Sequence, residues 1–522
     1  MKLSSEVFQV LLLTLWSCSS VGQEQEQQNV QEKLKNVVYY SDYGAAGDGV
    51  KDDFDAIINA HRAANAKGLK VMADPGATYY LSGADKTIEV QTDTDWGNAK
   101  FIIDDRYVVN RSKNIFDISS KLSSINLTGK INTLTKEQSK ITAFLPQRSL
   151  ILVEDNATKV YIRYGSNQNN GTAQTDVFLV DQSGLIDKSV PINWDYKNIS
   201  SIVACPIDEK PITIKGGYFT TIANQAESVY NYYSRGIRIG RSNVIVENIH
   251  HTVTGEGATG SPYAGFLSIR NCANITVQDC QLSGHKAYKH SSLPVTMGSY
   301  DLEVSRAANV SVKDCKQLND INDRSLWGIF ASNNSKNISF DNIEFSRFDA
   351  HMGATNVTIK NSKLGQQGLR ATGFGLLLIE NTSIYADRFV SLREDYGSTW
   401  NGDIVIRNCS FLPRNGMPIS SLYLIDGSNN GQHDFGYACF MPTKITIDGL
   451  TVDDTNMSSS YKSGVPYIFG IFNQNYTGKE PYPYTVTKTV EIKNLIFKSG
   501  KKYSVSPNAN MFKNTTVEIK GD

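Results

Sequence analysis

The chain has 522 residues, in which 52 Lys and Arg balance 52 Asp and Glu, so its formal net charge is zero. That balance argues against a nucleic-acid partner, because proteins that bind a phosphate backbone carry an excess of basic residues. The 26 Tyr, 21 Phe and 40 Gly indicate a β-rich protein with many turns and argue against a mainly helical one.

The N-terminus has the features of an export signal. Lys2 precedes an apolar run that is too short to span a bilayer and has the length of a signal-peptide core. Two kinds of processing compete, since residues 15–18 resemble a bacterial lipobox that would place a lipid on Cys18, and residues 20–22 suit ordinary signal peptidase. We predict a signal peptide at 1–22, a polar spacer at 23–36, and a protein that is secreted, periplasmic or a cell-surface lipoprotein. Any membrane contact would be made through the lipid on Cys18.

After the spacer, residues 42–53 read Asp-Tyr-Gly-Ala-Ala-Gly-Asp-Gly-Val-Lys-Asp-Asp, and an amphipathic pattern follows. Asp52 or Asp53 can cap a helix over residues 54–66, and two short strands are predicted after it. This segment resembles the opening module of the pectate-lyase-like right-handed parallel β-helix superfamily, which includes polygalacturonases, polysaccharide lyases, alginate C5-epimerases and phage tailspikes. The resemblance implies that the helix covers the open end of a stack of β-coils.

Residues 114–212 interrupt the pattern of the chain. They contain strand-like runs, such as 149–153 and 176–180, separated by Asn- and Gly-rich turns. Two interpretations remain open for this segment. It is either an antiparallel β insertion beside the stack, forming a wall of a binding groove, or an irregular set of extra coils.

A short unit recurs along the rest of the chain, in which apolar and polar residues alternate and an Asn or Asp follows. Alternation with period two indicates a strand with one buried face. Asn tolerates the left-handed conformation of a sharp bend, and stacked Asn side chains can form hydrogen-bonded ladders. Copies lie at 244–248, 275–279, 310–314, 338–342, 357–361, 377–381 and 404–408, with weaker ones at 445–449 and 490–494.

The spacing of these units decides the architecture. Their terminal Asn, Asp and Gly residues lie between 19 and 45 residues apart, and the shortest spacing matches one bare coil of a β-helix. Propeller blades would need a steady spacing of about 40 residues, which is not found. We therefore predict an all-β protein with a right-handed parallel β-helix at 37–522, an N-terminal capping helix and a monomeric state.

The cysteines beyond Cys18 have neither the CxxC pattern nor the spacing of a metal site. Cys280, Cys315 and Cys409 each follow the Asp or Asn that ends a unit, and this recurrence indicates stacking of buried thiols. We expect no disulfide framework, no metal and no cofactor. A divalent cation such as calcium is compatible with the sequence but is not indicated by it.

Chemistry is expected where the outward face of a strand carries unexpected polar residues. Within residues 345–352, alternation places Arg347, Asp349 and His351 on one outer face, about 6.5–7 Å apart along the strand. An Arg-rich strip with a histidine on a neutral protein suggests an anionic ligand, because Arg binds carboxylate or sulfate in a bidentate manner. Arg393 and Tyr396 complete the predicted catalytic set. The residues predicted to bind substrate are Tyr300, Arg324, Trp327, Arg370 and Trp400.

Residues 348–351, Phe-Asp-Ala-His, resemble the Phe-Asp-Pro-His motif of alginate C5-epimerases. That family has a catalytic Tyr where this chain has Ser346, and an acidic residue where it has Met352. The resemblance therefore implies a chemical step, the abstraction of the C5 proton of a uronic acid, and not a particular product.

Abstraction of that proton requires a neutralised carboxylate, a base and an acid. We expect His351 to act as the base. The predicted reaction is β-elimination by a carbon–oxygen lyase on an acidic polysaccharide or its oligosaccharides, either within the chain or as a dehydratase at its end. Candidates for neutralising the carboxylate are Arg347, Arg324 and Arg393, and candidates for the acid are Tyr396, Tyr300 and Lys289.

Three alternatives stay open. A glycoside hydrolase would use two carboxylates, although the motifs of polygalacturonases are not visible. A non-catalytic β-helix could bind glycans at a cell surface, and the Arg-Asp-His run could be a salt-bridged surface ladder. The carboxylates available to a hydrolase are Asp301, Asp323, Asp349 and Asp395.

Overall fold

The predicted signal peptide and Cys18 lie outside the residues that the structure describes, as does the spacer up to residue 35. None of the helices in the described part is long and apolar enough to cross a bilayer. The computed structural model describes residues 36–163, 169–428, 435–456, 458, 461, 464–479 and 484–520.

The body of the protein is a parallel β-helix. Val244 pairs in parallel with Ile275, Ile275 with Val310, Val310 with Ile338, and Ile338 with Val357. Each predicted unit therefore lies directly beside the preceding one. The number of residues between two successive units is the length of one coil. The predicted all-β class and the parallel β-helix are confirmed.

The strands occupy three faces, numbered in the order in which each coil passes through them. Face 1 contains Val37–Tyr39, Lys70–Met72, Val244–Glu247, Ala273–Gln278, Ala308–Lys313, Lys336–Asp341 and Thr516–Ile519. Face 2 contains Asp48–Asp52, Thr78–Leu81, His250–Thr254, Gln281–Leu282, Lys316–Gln317 and Ser383–Ile384. Face 3 contains Ile88–Val90, Phe116–Ile118, Ile237–Ile239, Leu267–Arg270, Leu302–Ser305, Phe330–Asn333, Val390–Leu392, Tyr423–Asp426 and Tyr467–Phe469.

Longer strands bend from one face to the next, and a few short elements decorate the coils. The long strands are Thr94–Asp104, Ile212–Ile222, Glu344–Lys360, Lys363–Glu380, Trp400–Phe411, Lys444–Val452 and Thr489–Phe497. The short strand pairs are His285–Lys286 with Leu326–Gly328, Tyr288–Lys289 with Thr296–Met297, and Cys439–Phe440 with Tyr484–Thr485. The 3-10 helices are Ser41–Tyr43, Glu394–Tyr396 and Pro413–Gly416.

The core runs along the axis of the coils. The inward residues of the repeated unit, such as Ile275 and Val277, are fully buried, and each packs on its equivalent in the next coil. Burial of one such aliphatic side chain contributes about 1.5–3 kcal/mol. This repeated burial, summed over the coils, offsets the entropy of ordering a long chain.

The Asn and Asp residues that end the face 1 strands adopt the left-handed conformation, as predicted, with φ of +51° at Asn361 and +49° at Asn381. Asn361 donates a hydrogen bond to Asp341 Oδ1 at 2.8 Å, and Asn381 donates one to Asn361 Oδ1 at 3.1 Å. The predicted ladder is therefore present. A second ladder, not predicted, runs along the start of the same strands through Asn243, Asn274, Asn309, Asn337 and Asn356.

Among the coils that carry the repeat from residue 244 to 384, most of the variation in coil length lies at one passage. A single residue separates Asn248 from His250–Thr254, and a single residue separates Asn381 from Ser383–Ile384. The passage from face 2 to face 3, by contrast, is a loop at 255–266 and lies within one strand in Glu344–Lys360. The loops of variable length therefore gather along one side of the stack, between faces 2 and 3, which we call the loop edge.

One α-helix, Phe54–Lys67, packs on the first strands and buries Phe54 and Ile57 in the core. Asp52 accepts a hydrogen bond from the Phe54 N–H at 3.1 Å and so caps the helix. Asp53 instead accepts hydrogen bonds from the N–H groups of residues 46 and 47 and fixes the preceding turn.

A separate antiparallel sheet lies beside the β-helix and has its own apolar core. It connects to face 1 through a buried ion pair between Asp176 and Lys336 at 2.7 Å. The segment predicted at 114–212 is too wide, because Phe116–Ile118 and Ile212 pair within the β-helix. The sheet consists of Ile125–Asn126, Ser149–Val160, Thr172–Val180 and Ser201–Pro206.

Candidate functional site

The predicted site lies on the outside of face 3, beside the loop edge, and extends into the turn that follows Val390–Leu392. Asp349 pairs in register with Arg370, and Arg370 pairs with Ser391 in the next coil. Arg393 follows two residues later. The side chains of the predicted catalytic residues consequently meet in one continuous cluster, which we call the arginine cluster: Arg163, Arg347, Asp349, His351, Arg393, Asp395 and Tyr396.

Arg347 and Asp349 are buried, with 1% and 0% of their surface exposed, although strand alternation predicted them on an open outer face. Loops of the neighbouring coils cover them. The guanidinium of Arg347 stacks on the ring of Trp327, with Cζ 4.6 Å from its centroid. The alternative of an exposed surface ladder is therefore wrong for these two residues, because the loop edge folds over them.

Asp349 is the hub of the cluster. It accepts hydrogen bonds from Arg347 Nη2 at 2.5 Å, from Arg393 Nη1 at 2.7 and 2.8 Å, and from the Tyr300 hydroxyl at 3.3 Å. Burial alone would raise the pKa of this carboxyl, but the charges of Arg347 and Arg393 outweigh it and hold the pKa well below its usual range. Asp349 is therefore an ionised anchor for two arginines.

Asp395 forms a second hub beside the first. Arg393 donates to it through Nε at 3.0 Å and Nη2 at 2.7 Å, and Arg163 donates through Nη2 at 2.8 Å. Arg163 also stacks on Tyr396, with Cζ 4.5 Å from the ring centroid. It follows the strand Ser149–Val160, so the antiparallel sheet contributes a residue to the cluster.

His351 is held as a neutral imidazole. Its Nδ1–H donates to Asn333 Oδ1 at 3.0 Å, which leaves the lone pair on Nε2. Nε2 lies 3.4 Å from the Tyr396 hydroxyl and 3.5 Å from Arg163 Nη2. Burial, followed by the charge of Arg393, lowers the pKa of His351 to about 3. His351 is half-buried, and the lone pair of Nε2 points to the Tyr396 hydroxyl and to Arg163.

A cleft of about 410 Å³ opens next to the cluster. Arg393 and Asp395 belong to the arginine cluster and also line the cleft, whereas His351 and Tyr396 are not part of the cleft wall. Arg370 lies in that wall with Nε free of any hydrogen-bond partner, and its pKa is lowered to about 10 by burial and then by the charge of Arg347, so it remains a cation at neutral pH. The wall is formed by Arg370, Asp387, Arg388, Ser391, Leu392, Arg393, Glu394, Asp395, Asp426 and Gly427.

The remaining predicted binding residues divide between the site and the core. Tyr300 and Trp327 contact Asp349 and Arg347, as described above, and Arg324 lies near the cleft, 3.9 Å from Asp387. Trp400 is fully buried, and its indole N–H donates to the Gly375 carbonyl at 2.8 Å. The prediction that Trp400 binds substrate is therefore wrong, because no face of its ring reaches the surface.

Two residues of the site were not predicted. Arg163 lies more than 180 residues before His351 in the chain, and no motif links them. Asn333 fixes the orientation of His351 from the preceding coil of face 3. Its position at the end of a face 3 strand is the only signal in the sequence that could have identified it.

No protein-family profile and no curated protein matches this chain. Among solved structures, the tailspike gp54 of the Acinetobacter baumannii bacteriophage AP22, in complex with a capsular saccharide, is similar with a TM-score of 0.55 and 10% identity, over 93% of this chain and 80% of that one. The tailspike gp61 of Pseudomonas phage phi297 is similar with a TM-score of 0.51 and 13% identity, over 88% and 80%. The protein is thus a parallel β-helix protein, and it shares this fold with phage tailspikes.

Proposed function

We propose that the protein is a carbon–oxygen lyase that cleaves a uronic-acid-containing polysaccharide, or its oligosaccharides, by β-elimination. The observation that carries the proposal is the arginine cluster itself, in which the neutral His351 has its free Nε2 beside the Tyr396 hydroxyl. A saccharide bound by the similar AP22 tailspike supports a glycan as the ligand class.

Arginines would neutralise the uronate carboxylate. Arg370 lies in the cleft wall, its Nε is buried without a hydrogen-bond partner, and Arg393 lies two residues beyond Ser391, the strand partner of Arg370. A guanidinium that pairs with the carboxylate stabilises the negative charge that develops when the C5 proton leaves. Arg370 is the better candidate, because both carboxylate partners of Arg393 are within the protein.

His351 and Tyr396 would carry the proton transfers. Nε2 of His351 takes the C5 proton, the electrons of that bond form the C4–C5 double bond, and the C4–O bond breaks. Burial raises the pKa of Tyr396, so its hydroxyl is protonated and can donate to the leaving oxygen. Nε2 and the Tyr396 hydroxyl lie 3.4 Å apart, so the two groups would act on adjacent carbon atoms, C5 and C4, of one sugar ring.

A hydrolase is less compatible with this cluster. Its general acid would be a carboxyl whose pKa is raised. Asp349 and Asp395 both have a lowered pKa, since the effect of burial is outweighed by Arg347 and Arg393 at Asp349 and by Arg393 at Asp395. Asp301 is bonded to two histidines, and Asp323 is exposed in a loop. Binding without catalysis is the second candidate function, favoured by the buried, ion-paired state of Asp349 and Arg347.

The test is an assay with a panel of uronic-acid polymers and oligosaccharides: ulvan, glycosaminoglycans, alginate and pectin. Elimination creates a double bond conjugated to the carboxylate, which absorbs in the near ultraviolet. We expect this absorbance with the wild type and a loss of about 10²-fold or more with His351→Ala, whereas His250→Ala, on an outward position of face 2, keeps full activity. Reducing ends that form without absorbance would contradict the lyase, and retention without turnover would indicate a binding protein.

A further inference from the structure

A second cluster of ionisable side chains lies at the loop edge, apart from the arginine cluster. His251 comes from a face 2 strand, His285 from a short strand after face 2 of the next coil, and Asp301 immediately precedes a face 3 strand. Their side chains are 2%, 1% and 0% exposed. One donor atom from each lies within 4.8 Å of the others. Three segments of the chain, from different coils, thus meet at one buried point.

The donor atoms face that point in the manner of a ligand set. Nδ1 of His251 lies 2.7 and 2.8 Å from the two carboxylate oxygens of Asp301, and Nε2 of His285 lies 2.9 Å from Oδ1. Nδ1 of His285 makes no hydrogen bond and lies 3.5 Å from Glu256 Oε1, whereas the second nitrogen of His251 is hydrogen-bonded to Thr221 Oγ1 at 2.9 Å. Metal-binding histidines are oriented in this way by a hydrogen bond from their other nitrogen.

The cluster also has the negatively charged side chains that a cation site requires. Within the described residues, neither Asp301 nor Glu256 forms an ion pair with Lys or Arg. Besides the imidazoles, Asp301 accepts a hydrogen bond from the Ser283 N–H, and Glu256 accepts one from the Tyr288 hydroxyl. Aromatic rings close the site, since Phe266 stacks on His251 with centroids 3.7 Å apart and Tyr263 stacks on His285 at 5.5 Å. Asp301 is fully buried and Glu256 is half-buried. A buried carboxylate needs a compensating charge, and a divalent ion supplies it.

We propose that His251, His285 and Asp301 bind a divalent transition-metal ion of the zinc class. Two imidazoles and one carboxylate are a donor set that zinc accepts, and small rotamer changes bring the three atoms to one ion. The ion is structural. It joins three loops of the loop edge, and Asp301 adjoins Tyr300, whose hydroxyl contacts Asp349 of the arginine cluster.

The test measures metal content and does not depend on the proposed activity. The full chain, produced without a histidine tag, is incubated with Zn²⁺, desalted and analysed by mass spectrometry for bound metal. We expect about one ion per chain in the wild type and in His250→Asn, the neighbouring outward histidine, and a loss of the ion in His251→Asn and in Asp301→Asn. Co²⁺ in place of Zn²⁺ gives the visible absorbance of a nitrogen- and oxygen-bound ion.

A variant of a buried residue can fail to fold, so a second measurement is made on the wild-type protein. Removal of the ion from the wild type with dipicolinate should lower its Tm, and Zn²⁺ should restore it. The proposal is overturned if the wild type retains no ion, or if His251→Asn folds and retains the same amount as the wild type. In either case the cluster is a proton-sharing network of two histidines and a carboxylate.

Discussion

Arg163 donates a hydrogen bond to Asp395 at 2.8 Å, although 232 positions separate the two residues in the chain. The contact joins the antiparallel sheet to the coils that carry the arginine cluster. Arg163 also lies 3.5 Å from Nε2 of His351, so it acts on the candidate base as well as on the carboxylate.

Arg163→Ala should therefore raise the pKa of His351, because the charge of Arg163 helps to lower it. The pKa is measured by NMR titration of the imidazole. Arg306→Ala is the matched control, since Arg306 also links the β-helix to the antiparallel sheet, through Glu154, but its charge is not among the main causes of the lowered pKa of His351. An unchanged pKa in Arg163→Ala, or the same shift in both variants, would contradict the electrostatic role of Arg163.

The low pKa of His351 has a defined effect on stability. The folded pKa is about 3 and the ordinary value is 6.5, so between these values the unfolded chain binds a proton that the folded chain does not. The contribution of His351 to the free energy of unfolding consequently falls as pH falls from about 6.5 towards 3, by up to about 1.4 kcal/mol per pH unit. Urea denaturation at several pH values should show a shallower decline in His351→Gln than in the wild type. Parallel curves would refute the assignment.

The same pKa governs catalysis, if His351 is the base. It stays neutral in weak acid, so the acid limb of kcat/KM should lie well below pH 6, where an ordinary histidine would already be protonated. A half-maximal rate near pH 6.5 would show that a different group, or a His351 with an ordinary pKa, removes the proton.

Asp349→Asn should destabilise the protein strongly. The substitution leaves Arg347, which is almost fully buried, and Arg393 without their shared counter-charge, and breaking a buried pair in this way costs about 3–5 kcal/mol. Glu344 lies in the same strand as Asp349 and forms an exposed ion pair with Lys363 of the next strand. Glu344→Gln breaks this pair and should cost about 1 kcal/mol or less. Chemical denaturation compares the two, and similar losses would mean that Asp349 is not the hub.

The Asn ladder offers a test of backbone conformation. Asn361 has φ of +51°, donates a hydrogen bond to Asp341 of the preceding coil and accepts one from Asn381, its equivalent in the next coil. Asn361→Gly keeps the left-handed conformation and loses the side-chain bonds, whereas Asn361→Ala loses both. We expect Ala to be less stable than Gly by about 1 kcal/mol, measured by thermal denaturation. A more stable Ala variant would show that the ladder bonds, and not the bend, select Asn.

Much of the fold could be predicted from the sequence, because the terminal Asn of each unit marks one coil and the register follows the spacing. The second ladder has a sequence signal as well, since Asn243, Asn274 and Asn309 each stand directly before a repeated unit. Alternation also identified Arg347, Asp349 and His351 as one group, because side chains two positions apart share a face.

Exposure and long-range contacts could not be predicted in this way. Alternation gives the direction of a side chain but not what covers it, so the loops that bury Asp349 went unnoticed, and Trp400 was assigned to the surface. Arg163 is brought to His351 by the antiparallel sheet, whose placement follows from tertiary packing. His251, His285 and Asp301 have no motif spacing, because loops of unequal length separate them.

The loop edge has a consequence for how such a protein can change. Residues that bend the chain between faces 1 and 2 are fixed by the ladder, but the passage from face 2 to face 3 accepts anything from a continuous strand to a loop of many residues. Both ionisable clusters lie on that side. Ligand preference can therefore be rewritten by exchanging loops, one coil at a time, while the supporting coils and their hydrogen-bonded ladders are inherited unaltered.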